Sequence, residues 1–366
     1  MKPKPVLIYI LPIVIVILLF SIWYFKRRAA TVTDSRLMLG TFVEITAMGE
    51  SRDELERAVE SAFLRISEIE AVADRYTKNS EISKLNLMAK RGGVGEIPVS
   101  DDIIEMLDLA GEVSERSNGA FDVTIAPVVD LWDFSPDGRG VGGRVPDKGK
   151  IGERLRLVDY RSVVIEKDNN TVSLRKAGIK LDLGGIAKGY AVDEAVKVLR
   201  KLGVESGVIN AGGDMAVIGY KGGYKGGHKG GGNNGGTPWR IGIQDPRNPN
   251  GLIAVLSLND VSVVTSGDYE RYFIKGGKRY HHIVDPKTGY PSEAAISVTV
   301  IAKNTALADT LATAIFVLGP EMGIRLAEDF AGKTDDGGNS VEAMIVGPDG
   351  KFYETGGFKD IVEYLD

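Results

Sequence analysis

The sequence predicts an α+β protein with a largely antiparallel sheet, carried behind one N-terminal transmembrane helix. Three observations point there. Strand-like and helix-like segments are interspersed without a regular βαβ cadence, hairpin signals such as Gly276–Gly277 recur, and a single long apolar run opens the chain.

That run, "VLIYILPIVIVILLFSIWYF" (Val6–Phe25), is uncharged and long enough to cross a hydrocarbon core of roughly 30 Å. Trp23 and Tyr24 stand where aromatic belts form, and Lys26, Arg27 and Arg28 follow. No small-residue cleavage pattern accompanies it, so residues 1–30 read as an uncleaved membrane anchor with its helix over about 6–25. Lys2 and Lys4 nearly balance the three basic residues on the other flank, so charge does not set the orientation. Residues 31–366 form the body.

Within the body, "GTFVEITAM" (Gly40–Met48) alternates like a half-buried strand. Leu55, Val59, Phe63, Ile66 and Ile69 then fall at helical spacing behind a capping box of Ser51 and Glu54. A second helix is expected over Asp101–Arg116, a strand start at Phe121–Asp122, and a surface loop over 135–149. Val163–Ile165 and Thr171–Leu174 read as strands around the turn Asp168–Asn170. "LDLGGIAKGYAVDEAVKVLRKLG" is a strand-turn-helix unit. Its helix packs Val192, Ala195, Val196, Leu199 and Leu202 and ends at Gly203. "GVINAGGDMAVIG" and "WRIGIQDP" supply further strands, and Lys278–Val284 another. The glycine-dominated repeat at 221–236 buries too little to order itself and reads as a flexible hairpin tip; His228 lies inside it, in a solvated loop or a weak metal-scavenging tract. Asn304 is placed as N-cap of a helix running to Gly319, with Leu307, Leu311, Ala314, Ile315 and Leu318 as its buried stripe.

Composition narrows the chemistry. With no cysteine there are no disulfides, thiolate nucleophiles or cysteine–zinc sites, and a net charge of −5 offers nucleic acid nothing. Asp309 and Thr313, four residues apart, share a helical face close to the apolar one. Together they form a hard-oxygen pair suited to magnesium; alternatively Thr313 bonds its own helix carbonyl and Asp309 is a surface residue. Gly184–Gly185 open a helix, where exposed N–H groups and Lys188 suit a phosphate, although glycines serving a tight turn explain the pattern equally well. Asp182 either holds a ligand's polar edge or caps that helix. Phe121 reads as core and Asp122 as a turn residue. His281 and His282 are two of three histidines in the chain. Adjacent strand residues point to opposite faces and cannot easily share a metal, so one of them is a candidate proton acceptor, unless both are structural.

Taken together, "LGTFVEI", "RYTKNSEISKLN", "GAFDVTIAPVVDLW", "LDLGGIAKGYAVD", "GVINAGGDMAVIG", "TSGDYERYF", "HHIVDPKTGYP" and "ADTLATAIFVLG" resemble the FAD:protein FMN transferase (ApbE) family over nearly the whole body. The resemblance implies a flavin-transferase, T-fold-like domain. It would use Mg²⁺ to transfer the FMN moiety of FAD onto a Thr or Ser hydroxyl of an acceptor flavoprotein, releasing AMP. It implies Asp309, Thr313 and the Gly185 carbonyl as magnesium ligands. Leu39, Tyr76, Ala120, Phe121, Asp122, Asp182, Lys188 and Ile283 would contact FAD, and His282 would be the base. Leu39 stands where the family often has methionine, the side chain at position 188 varies, and the glycine repeat matches no family feature. The implied acceptor is a flavin-carrying subunit of a membrane redox complex. The apolar anchor would then hold the body against membrane lipid, on the extracytoplasmic side. Competing readings are a magnesium-dependent FAD pyrophosphatase and a non-catalytic, membrane-tethered flavin-binding protein. His281 is left without a role.

Overall fold

The computed structural model describes residues 30–92, 95–132, 134, 139–140, 143–223, 236–331 and 341–365. The expected membrane helix over 6–25, His228 and most of the glycine repeat lie outside the described residues.

Eight strands form the main sheet: β1 (Ala30–Met38), β2 (Thr41–Gly49), β3 (Ser206–Ala211), β4 (Asp214–Ile218), β5 (Ser262–Gly267), β6 (Ser297–Ala302), β7 (Glu342–Val346) and β8 (Phe352–Glu354). They lie side by side in chain order, every neighbour antiparallel. The sheet is therefore a meander whose long connections carry the remaining elements. Strict alternation sorts its two faces. Ala216, Ile218, Val264, Val298 and Val300 join the core beneath the helices. Met215, Val217, Val263, Ile301 and Met344 pack instead with a three-stranded sheet made of Trp239–Asp245, Asn248–Leu258 and Val362–Tyr364.

The helices are α1 (Arg52–Ala73), α2 (Glu81–Lys90), α3 (Asp101–Arg116), α4 (Ala126–Val129), α5 (Lys148–Leu155), α6 (Ala187–Lys201) and α7 (Thr305–Ala331). α1 covers β1 and β2, α6 covers β3 and β4, and α7 crosses β5, β6 and β7. The spacing read for α1 holds: its five apolar positions are buried, and the Ser51 hydroxyl accepts the Glu54 N–H. Each such side chain contributes about 1.5–3 kcal/mol when removed from water. Among the described residues α7 alone is long and apolar enough to cross a membrane, at mean hydropathy 1.3, yet 56% of that stretch is buried within the fold. Gly319 (φ 75°) and Pro320 break it in two, so it is a kinked core helix.

Several expectations need correction. Phe121 and Asp122 begin no strand; they lie in a turn that ends where Ile125 bridges Lys180. The "LDL" segment is not a ladder strand either. Its Leu181 N–H and C=O are both bonded by the Asn86 side chain (2.6 and 3.0 Å), which stands in for a neighbouring backbone. Leu202 is 49% exposed, because it already belongs to the chain's exit from α6. The loop placed at 135–149 ends earlier, since Asp147 caps α5 through two backbone N–H groups. The histidine strand stops at His281, followed by a bend.

One end of the sheet gathers what matters next. The β1–β2 turn (Leu39–Gly40), the β3–β4 turn (Gly212–Gly213) and the chain leaving β5 toward Arg271 all lie there. Gly212 donates to the Phe42 carbonyl, and the Arg271 guanidinium reaches the Gly40 carbonyl.

Candidate functional site

Two helix N-termini cross at the site. A Cβ on Gly189 would stand 2.5 Å from the Thr305 carbonyl oxygen, so only glycine lets α6 and α7 approach this closely. Their caps are exchanged. Asp193 of α6 accepts the Thr305 and Ala306 N–H groups at the start of α7 (2.7 and 2.9 Å). Asp309 of α7 accepts the Gly189 N–H in the first turn of α6, which has no side-chain cap of its own (3.3 Å). Asn304, the cap expected from sequence, contributes only its backbone carbonyl.

This crossing buries Asp309, contrary to the surface alternative. Thr310, rather than Thr313, uses its hydroxyl to bond helix carbonyls, at Ala306 and Leu307. Thr313 faces the glycine turn: a Cβ on Gly185 would lie 3.4 Å from its hydroxyl oxygen and 3.0 Å from the Phe121 ring. The fold joins Asp309, Thr313, Gly185, Phe121 and Lys188.

Lys188 lies between two buried carboxylates, 2.6 Å from Asp214 Oδ2 and 3.4 Å from Asp309 Oδ2. Burial works against its ammonium, but the two carboxylates outweigh that and raise its pKa. Burial, then the charge of Asp309, pushes the Asp214 carboxyl up against the pull of Lys188. Asp214 did not stand out in sequence; its only signal is its position directly after the glycine pair of "NAGGD".

His282 leaves the end of its strand with its N–H bonded to the Arg271 carbonyl (3.0 Å), while its Nδ1 is buried without a partner among the described residues. Burial, reinforced by His281, Arg271 and Lys188, depresses its pKa to about 3, so the imidazole is neutral. His281 acquires a structural role. One ring nitrogen bonds the Ser292 carbonyl (2.7 Å), the other accepts the Ile283 N–H (3.3 Å), and the ring packs edge-on against Phe316. Ile283 is thereby fixed in the core.

The remaining candidates form the surroundings. Leu39 occupies a left-handed turn position (φ 54°) and donates its N–H to Glu70 (2.7 Å). Ala120 and Phe121 are buried. Asp122 spends both carboxylate oxygens on Thr124 and the Tyr160 N–H, as a turn residue does. It also borders a cavity of about 250 Å³ with Tyr160, Arg161 and Lys287, to which no residue of the Lys188 cluster contributes. Tyr76 is 78% exposed, its ring stacked under Arg75, which bonds its hydroxyl and pairs with Asp182 (3.0 Å) and Asp130. Asp182 also accepts the Gly184 N–H (2.9 Å), bracing the glycine turn. Arg75 gave no sequence signal.

As a cation site the donor set is sparse. No three acidic or histidine side chains converge among the described residues. One carboxylate, one hydroxyl and one backbone carbonyl on Asp309, Thr313 and Gly185 are the few oxygen donors that magnesium, rather than zinc or calcium, accepts from protein. Two buried carboxyl groups share the single Lys188 ammonium.

The ApbE family model matches residues 39–335. A FAD:protein FMN transferase of Treponema pallidum is 33% identical over 349 residues, covering 93% of this chain and 91% of that one. One from Klebsiella pneumoniae is 35% identical over 71% of this chain and 77% of its own. The crystal structure of the ApbE protein from Thermotoga maritima superposes with a TM-score of 0.76 at 31% identity, covering 91% of this chain and 99% of that one. The flavin transferase ApbE from Vibrio cholerae gives 0.73 at 28%, with 91% and 100% covered. With a family model matching residues 39–335 and a relative 33% identical over most of both chains, this chain belongs to the ApbE family.

Proposed function

We propose that the protein transfers the FMN moiety of FAD to a Thr or Ser hydroxyl of an acceptor flavoprotein. The observation that carries this is a buried, neutral histidine with an unpaired nitrogen among the described residues, within electrostatic reach of Lys188. In the reaction the acceptor oxygen attacks the phosphorus of the FMN half. A P–O bond to that oxygen forms, the pyrophosphate P–O bond breaks, and AMP leaves with the electron pair. The hydroxyl proton passes to His282, whose uncharged ring is free to take it. Lys188 faces the phosphates, and Tyr76 with its Arg75 partner offers an exposed platform for a flat ring. Leu39, Phe121 and Ile283 supply apolar wall, while Ala120, Asp122 and Asp182 hold the turns around it. Asp309, Thr313 and Gly185 would hold Mg²⁺, which when bound polarises the pyrophosphate oxygens and offsets charge on the departing phosphate.

The test mixes the protein with FAD, Mg²⁺ and an acceptor domain carrying a threonine motif, and reads acceptor mass and free AMP. A gain of one FMN supports transfer. AMP release with an unmodified acceptor supports the pyrophosphatase reading, and FAD binding without AMP supports a mere binder. The proposal includes tethering through residues 6–25, with the body extracytoplasmic and the acceptor a subunit of a membrane redox complex. Retention in the membrane fraction after alkaline extraction, with the body open to external protease, is the expected result; a protected or extractable body would remove it.

A further inference from the structure

The metal reading leaves Asp214 without a task, although it is buried and lies 2.6 Å from the Lys188 ammonium. Three groups compete here. The Lys188 ammonium lies 2.6 Å from Asp214 and 3.4 Å from Asp309, and both carboxylates have side chains only 4% exposed. An ammonium pressed fully onto Asp309 would occupy the carboxylate that the proposed cation needs. We infer that Asp214 is a positioning residue: it draws the Lys188 ammonium off Asp309, leaving Asp309 open to a divalent cation and Lys188 directed at the phosphates.

Backbone geometry makes Asp214 suited to this. It begins β4 directly after the turn formed by Gly212 (φ 62°) and Gly213 (φ 99°), and β4 is bound on both sides by β3 and β5. Its backbone therefore cannot follow the lysine. Lys188, on a long stem from the first turn of α6, is the partner able to move. Asp309 is held by the Gly189 N–H, so the distance between the carboxylates is set by a strand and a helix crossing. In this arrangement Lys188 acts as a resident cation that a dication partly displaces.

The inference rests on the metal assignment above, and the experiment separates the two. Mg²⁺ and Mn²⁺ binding are measured without FAD, by calorimetry and by the metal-induced rise in melting temperature. The wild type, Asp214→Asn, Lys188→Gln and the double variant are compared. Asp214→Asn keeps the shape but releases Lys188 onto Asp309, and metal affinity is expected to fall about tenfold, equivalent to about 1.4 kcal/mol. Lys188→Gln is expected to bind metal at least as tightly as the wild type, and the double variant to recover the affinity lost in Asp214→Asn. That recovery also shows that the single variant's defect is not misfolding. An equal loss in the double variant would make Asp214 a metal ligand and overturn the inference, as would an unchanged Asp214→Asn. Absence of metal binding in the wild type would instead overturn the metal assignment itself.

Discussion

His282 is a weak base at rest, and the groups that weaken it suggest how substrate strengthens it. Burial first, then His281, Arg271 and Lys188, depress its pKa to about 3. A bound pyrophosphate would offset both cations and so raise the pKa toward the range useful for accepting a proton near neutrality. The expected sign follows: with FAD bound, transfer declines as pH falls through a pKa higher than that of the free protein, because protonated His282 cannot take the hydroxyl proton. Saturating-substrate rates against pH check it, and a flat profile in His282-containing protein beside an unchanged His282→Ala would remove the base. His282→Ala is expected to lose about 10²–10⁴-fold in transfer while still binding FAD, read by flavin fluorescence. Asp309→Ala should abolish both transfer and AMP release at any practical Mg²⁺ concentration; AMP release at the wild-type rate would refute the metal assignment. Local signals made these residues candidates, a four-residue spacing for Asp309 and Thr313 and a rare residue type for His282, and the family resemblance supplied their roles. Asp214 and Arg75 were not candidates, because their meaning lies in partners 26 and more than 100 positions away, Lys188 and Asp182.

At the scale of elements, the exchanged caps make α6 and α7 interdependent. Asp193 satisfies two orphan N–H groups at the start of a helix to which it does not belong. Replacing it by alanine removes both bonds from a buried place, at an expected cost of about 1–3 kcal/mol per unsatisfied group. Asn304 is exposed, so Asn304→Ala should change stability by no more than about 0.5 kcal/mol. Urea unfolding of the two variants separates the caps, and a larger loss for Asn304→Ala would return capping to the local residue. The sequence showed a helix start at 304–305 correctly and named the wrong cap, since local rules presume that a cap is the preceding residue. The same limit hid the Asn86 side chain that replaces a strand beside Leu181. Long periodic elements were a different matter: α1, α3 and the two halves of the β3–β4 hairpin repeat their burial signal many times, and a repeated signal survives one ambiguous position. β1 stood hidden beside the apolar run, with alternation too polar to separate it from a linker.

For the whole molecule, folding must keep two histidines uncharged. His281 is lowered chiefly by burial, and His282 likewise, down to about 3, against an ordinary histidine value of about 6.5. A depressed folded-state pKa means that the unfolded chain takes up protons first as pH falls. The contribution to stability is therefore complete above about pH 6.5 and is lost progressively below it, toward pH 3 for His282. Each histidine can account for at most about 1.4 kcal/mol per pH unit in this window. Buried Asp122 and half-buried Asp193, whose pKa values are raised by desolvation, act in the opposite sense, so the total curve is shallower than the histidines alone would give. A difference measurement isolates the effect. Unfolding free energies of wild type and His282→Gln between pH 7 and pH 4.5 should diverge, with the variant losing less stability by close to one proton's worth of slope below pH 6. Parallel curves would mean that His282 is protonated in the folded protein at these pH values, and a charged ring there could not accept the proton of an incoming hydroxyl.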